Sequence, residues 1–116
     1  MATKYDFKFI RGDTKYLNVR LSDASLNVDD YDCLFTVKEL DDKSLDDSNA
    51  LYQASISNGQ ITRDSSNNMF VIRFDTSNLE TKSYKYDIQL KEINSGDITT
   101  VVYGTITLDD DVTKTS

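Results

Sequence analysis

The sequence predicts an all-β chain folded as an antiparallel β-sandwich of seven or eight strands. Two observations carry that expectation. Apolar and polar residues alternate with period two along most of the chain, and helical periodicity is scarce. Turn signals rich in Gly, Asn, Asp and Ser recur between these stretches at short, regular spacing. Strands patterned this way have one apolar face each, and two sheets bury those faces against each other.

The elements follow in order. Residues 5–10 read as the first strand. Arg11-Gly12-Asp13-Thr14 is a turn in which Gly12 is free to take positive φ and Asp13, helped by Thr14, bonds a nearby backbone N–H. Residues 16–21 alternate cleanly, with Leu17, Val19 and Leu21 on one face and Tyr16, Asn18 and Arg20 on the other. Residues 22–30 are a polar connection anchored by Leu26 and Val28. Residues 33–38 form a third strand that buries Cys33, Phe35 and Val37. An acidic loop occupies 39–49, with room for one short helical turn capped by Ser44.

Residues 50–56 are the fourth strand, and Asn58-Gly59 marks a tight turn after it. A short fifth strand covers 61–63, followed by a turn at 64–68. Residues 69–74 are apolar apart from Arg73, which predicts a strand covered on both faces near its middle. Residues 84–93 alternate best of all, with Tyr84, Tyr86, Ile88 and Leu90 inward. Asn94-Ser95-Gly96-Asp97 is a hairpin turn into the last strand, 98–108, rich in Thr and Val. The whole of 1–116 reads as one domain with its core in 5–108 and a polar tail, 109–116, expected to fray. Phe35, Val37, Phe70, Ile72, Tyr86, Ile88, Leu90 and Ile106 are the expected core.

A Leu, then a loop, then Tyr-x-Tyr opening a late strand, as in Leu79 to Tyr86, resembles the tyrosine corner of immunoglobulin-like domains. That resemblance implies an immunoglobulin-like sandwich in which the Tyr84 hydroxyl ties back to upstream backbone. Tyr86 would stand where antibody domains carry a disulfide Cys.

Composition narrows the chemistry. The chain has no His, which removes the commonest general base and the commonest metal ligand, so the expectation is a protein that is not an enzyme. The single Cys33 has no partner for an internal disulfide and reads as a buried small hydrophobe. A chain free of cystines points to synthesis in a reducing cytoplasm. Residues 1–8 are charged and lack the apolar run of a signal peptide, and no window reaches membrane-spanning length. Residues 23–47 hold nine acids and two bases, which equals the full net charge of −7, since the other eleven acids and eleven bases cancel. Such a surface repels phosphate backbones, so neither nucleic acid nor membrane is an expected partner.

No cofactor and no metal is expected. Asp29-Asp30-Tyr31-Asp32 and Asp109-Asp110-Asp111 are the acidic clusters that come nearest to a cation site, but neither has the spacing of a Ca²⁺ loop. The Arg11-Gly12-Asp13 tripeptide matches an integrin motif but reads as a turn. Surface contact is expected along the first and last strands, whose edges lack the charge of 23–47 and any proline. Tyr5, Tyr16, Val101 and Tyr103 are the candidate contact residues, joining copies of the chain or another protein. The Tyr set, with Tyr52, also leaves open a carbohydrate-binding module that uses exposed rings and loop acids.

Phe9-Ile10-Arg11-Gly12-Asp13-Thr14, the strand Leu17 to Leu21, and Phe35-Thr36-Val37-Lys38 together resemble a group of bacteriophage and prophage domains. The late stretches Tyr84 to Leu90 and Gly104 to Leu108 are similar too. The N-terminal domains of phage baseplate upper proteins are the family named by this likeness. It implies a virion structural or assembly module, made in the bacterial cytoplasm, whose partners are other virion or tail-assembly proteins or its own copies. The family lends no catalytic residues.

Overall fold

The computed structural model describes residues 3–21, 25–42 and 50–109. Its strands are β1 (Thr3–Lys4), β2 (Phe7–Ile10), β3 (Thr14–Arg20), β4 (Tyr31–Glu39), β5 (Tyr52–Ser55), β6 (Ile61–Asp64), β7 (Met69–Asp75), β8 (Ser83–Glu92) and β9 (Ile98–Asp109). One sheet has the order β1/β2, β9, β8, β4, β5, and the other has the order β3, β7, β6. The chain changes sheets between β2 and β3, β3 and β4, β5 and β6, and β7 and β8. This is an immunoglobulin-like β-sandwich, the class the strand pattern predicts. β1 and β2 pair one after the other along β9, so they are two halves of the expected first strand.

That first strand runs parallel to β9, the one departure from antiparallel pairing among the described strands. The cause is connectivity. After β2 the chain crosses at once to the other sheet, so β2 has no hairpin neighbour in its own sheet. It takes the free flank of β9, whose direction it shares.

Alternation sets the core. Phe35 and Val37 on β4, Ile72 and Phe74 on β7, Tyr86, Ile88 and Leu90 on β8, and Ile106 and Leu108 on β9 are all buried between the sheets, as is Phe70. All eight expected core residues are among them. β7, expected to be covered on both faces, is not. Its alternate residues Met69, Val71 and Arg73 are only half-buried, because among the described residues no third layer lies over that sheet.

Two side-chain devices hold the loops. Asn68 sits in the left-handed region at φ 52°, which Asn tolerates better than most residues. Its side chain accepts from Val28 N–H at 3.0 Å and donates to the Leu26 and Leu21 carbonyls, so it anchors the connection that buries Val28. The second device is the tyrosine corner itself: the buried Tyr84 donates its hydroxyl to the Glu80 carbonyl at 2.8 Å, above a buried Leu79. Tyr84→Phe is expected to lower unfolding free energy by about 0.5–1.5 kcal/mol in denaturant melts. Unchanged stability would mean that water replaces the bond at no cost. The expected helical turn at Ser44 and the residues 110–116 of the expected fraying tail lie outside the described residues. Asp109 itself continues β9, opposite Ile10, with its carboxylate 3.2 Å from Lys8.

Candidate functional site

β3 lies at the border of its sheet, with β7 on one side and no described strand on the other. Its seven residues make it the longest uninterrupted border strand. The N-terminal border is broken into β1 of two residues and β2 of four, β5 and β6 have four each, and short borders limit unwanted pairing. Facing β3 across the open side of the sandwich is the N-terminal strand. Between them runs a groove of about 470 Å³, floored by Phe7, Leu17, Val19, Ile88 and Val102 and flanked by Tyr5 and Tyr16.

The structure brings two of the four candidate contact residues together here. Tyr5 is 56% exposed and Tyr16 is 63% exposed, one on each lip of the groove. Val101 and Tyr103 do not join them. β9 was expected to be a border strand, but β1 and β2 cover its flank at Val102, Tyr103 and Ile106 to Asp109. Val101 is the residue skipped where Ile88 faces Val102 and Gln89 faces Thr100, and this bulge leaves it half-buried against the core. Tyr103 is exposed, but it lies opposite Asp87 on the face of the sheet away from the core.

The N-terminal strand is fixed tightly beside the groove. Tyr5 N–H donates to the Tyr103 carbonyl at 2.8 Å, and the Tyr86 hydroxyl donates to the Tyr5 carbonyl at 2.6 Å. Asp6 Oδ1 accepts from the Thr105 N–H and hydroxyl, which holds its carboxyl below the ordinary range and interrupts the strand between β1 and β2. Gly104 makes this crossing possible. A Cβ there would stand 2.1 Å from the Tyr5 carbonyl oxygen.

Three tyrosine hydroxyls bond backbone in this way, and burial raises all three pKa values. Tyr86 is pushed up to about 12, with Asp6 and Tyr5 adding to the effect. Tyr52 and Tyr84 move in the same direction, chiefly through burial. The sign is that of an acid kept neutral in the fold. The stability these groups contribute is fully present below the unfolded value of 10.0 and is lost as pH rises towards the folded values. Equilibrium melts are therefore expected to show a steep fall in stability between pH 10 and about 12. A flat profile there would mean that the hydroxyls ionise as readily in the fold as in the unfolded chain, which would refute the raised values.

The opposite flank is polar. Tyr52 donates to the Arg73 carbonyl at 2.6 Å and accepts from Asp75 N–H at 3.5 Å, covering β7 where β6 has ended. Tyr52, Gln53, Asn58, Gln60, Arg73, Asp75 and Asn78 line a shallow pocket of about 300 Å³ there. Arg73 is held by Gln60 at 3.2 Å.

The remaining marked residues are engaged in bracing. Arg11 donates to the Leu79 carbonyl at 2.6 Å and to the Ser77 carbonyl, so the Arg-Gly-Asp turn is tied to the tyrosine-corner loop. The turn is held through Thr76, whose hydroxyl accepts from Gly12 N–H and donates to the Asp13 carbonyl, both at 2.8 Å. The Asp13 carboxylate, expected to close the turn, lies beside Lys15 instead. In the acidic run, Asp29 accepts from Ser65 and Asp32 pairs with Arg63 at 2.7 Å. Among the described residues, no three Asp, Glu or Cys side chains gather as a metal site. Cys33 is buried, and burial pushes its thiol up to about 12.

What these features define is an immunoglobulin-like sandwich with one open, apolar flank. Neither the protein-family models nor the curated proteins give a match to this chain. Solved structures that match include an extracellular fragment, with its stalk region, of novel immune-type receptor 11 from Ictalurus punctatus. The two are 8% identical, over 100% of this chain and 92% of that chain, with a TM-score of 0.48.

Proposed function

We propose that this chain is a non-catalytic assembly module that acts through protein–protein contacts, in a bacteriophage or prophage particle. The observation that carries the reading is the seven-residue border of β3 beside the apolar groove. An uncovered strand edge over an apolar cleft is suited to receive an extended strand, with ladder bonds for affinity and the cleft for alternate side chains. The Arg-Gly-Asp-Thr turn and the strands around it supply the phage context through their resemblance to baseplate upper protein domains. Partners on this reading are other virion or tail-assembly proteins, or copies of the chain. Mass spectrometry of purified particles and of tail-assembly intermediates tests it. Presence in either supports the role, and absence from both ends it. Broad hydrolase screening of the same protein is expected to give background only. Turnover abolished by one Ser or Asp substitution would overturn the non-catalytic part.

A carbohydrate-binding role has one observation in its favour, the amide- and Arg-lined pocket beside Tyr52. Against it, the Tyr52 ring is packed by Phe35 and Phe74 and its hydroxyl is committed to β7, so that pocket has no free aromatic platform for a sugar to stack on. Glycan-array binding lost in Arg73→Ala would favour that role over assembly.

A further inference from the structure

We propose that β3 pairs antiparallel with β3 of a second copy, with the two-fold axis passing through Asn18. The proposal rests on the assembly reading of this border and names its partner. The backbone dictates which residues can bond across the edge. Leu21 N–H donates to the Asn68 carbonyl, and Thr76 N–H donates to the Asp13 carbonyl. Odd-numbered residues therefore spend their ladder groups on β7. By alternation, the N–H and C=O of Tyr16, Asn18 and Arg20 face the open flank.

A two-fold partner must place even residues opposite even residues, and side chains directly opposite share a face. The Asn18-centred register does this with matching chemistry. Asn18 meets Asn18 of the copy, amide to amide. Tyr16 meets Arg20 at both ends, a cation over an aromatic ring. Leu17 meets Val19 on the inner face, above the groove that both already line. Centring on Leu17 would set Tyr16 against Asn18 and Lys15 against Val19. Centring on Val19 would set Asn18 against Arg20 and leave Tyr16 beyond the pair. Of the three, only the Asn18 register joins ring to guanidinium while keeping Leu17 against Val19; its one mixed pair, Lys15 against Leu21, falls at the two ends. The result is a continuous sheet across two copies, in which each groove is roofed by its neighbour.

The test uses the full chain in sedimentation equilibrium up to about 1 mM, where even weak association registers. A dimer is expected. Tyr16→Lys, which sets Lys against Arg20 of the copy, and Arg20→Glu, which removes the cation, should each weaken it at least about tenfold. Combined, they place Lys opposite Glu and should restore it. Both positions are exposed, and circular dichroism of each variant checks that it is folded. As an independent register probe, Asn18→Cys should form a disulfide-linked dimer on oxidation, because residues facing across a bonded pair lie within disulfide reach. Tyr16→Cys should not, since the two copies of that residue would stand about 14 Å apart. A monomer throughout, a dimer indifferent to both charge variants, or loss without rescue and without Asn18 cross-linking overturns the proposal. A monomeric chain still found in particles would overturn self-pairing alone, while a dimer absent from particles would overturn the virion role alone.

Discussion

Replacing Phe35 by Ala is expected to remove about 3–5 kcal/mol of stability. Phe35 has no exposed surface and sits mid-strand on β4, between Ala54 of β5 and Ile88 of β8. Its ring meets Phe74 at 5.2 Å, Tyr86 at 5.9 Å and Tyr52 at 6.1 Å, all tilted or edge-on. The Phe74 contact joins the two sheets and the other two lie within the sheet of Phe35, so truncation leaves a void with aromatic walls that cannot collapse without moving whole strands. A loss of that size is a large share of the roughly 5–15 kcal/mol typical of a domain. Denaturant melts measure it, and a loss below about 1 kcal/mol would place Phe35 outside the core. Hydrogen exchange should also rise at Tyr5, since Tyr86 is both the neighbour of Phe35 and the donor to the Tyr5 carbonyl.

Gly104→Ala is expected to be the most damaging substitution that adds only one carbon. The new methyl would fall 2.1 Å from the Tyr5 carbonyl oxygen and 2.8 Å from its carbon, both backbone atoms that no rotamer change can clear. The N-terminal strand must then lift from β9. That strains the bonds from Tyr5 N–H to Tyr103, from the Tyr86 hydroxyl to Tyr5, and from Thr105 to Asp6. Overpacking of this kind costs about 1–3 kcal/mol or more. Its signature should be local: loss of exchange protection along Thr3 to Ile10 before the rest of the sandwich opens. Protection unchanged there would mean that β9 yields instead.

Strand positions were readable because period-two alternation reports which side chains face a core. The Asn58-Gly59 turn and the Leu79 to Tyr86 corner were readable because their backbone geometry demands those residue types. Neighbours were not readable. Alternation is the same for a border strand and an interior one, so nothing in residues 98–108 revealed that β1 and β2 would cover that flank. Val101 looked like any other strand valine, since a bulge inserts a residue without changing its type. Gly104 carried a signal, an isolated Gly inside a Val/Thr strand, which marks close backbone approach. Asn68, Thr76 and Tyr52 bond partners at least 20 residues away in sequence, and polar loop residues advertise no such partner in advance. At the candidate site, the exposure of Tyr5 and Tyr16 follows from the pattern, but their meeting across one groove depends on the crossover after β2.

The parallel pairing of the N-terminal strand with β9 has a mechanical consequence. Thr3 lies beside Val102 and Ile10 beside Asp109, so the chain enters the sandwich at one end and leaves it at the other. Tension applied through the two ends would act along these strands. It would load all the ladder bonds between the N-terminal strand and β9 at once, in shear, where an antiparallel hairpin pulled from its open end would peel one bond at a time. Resistance to such force is set by the unfolding rate and not by equilibrium stability. The strand held by Gly104, Tyr86 and Asp6 would then act as a clamp, and forced extension would have to break it before the core bore any load.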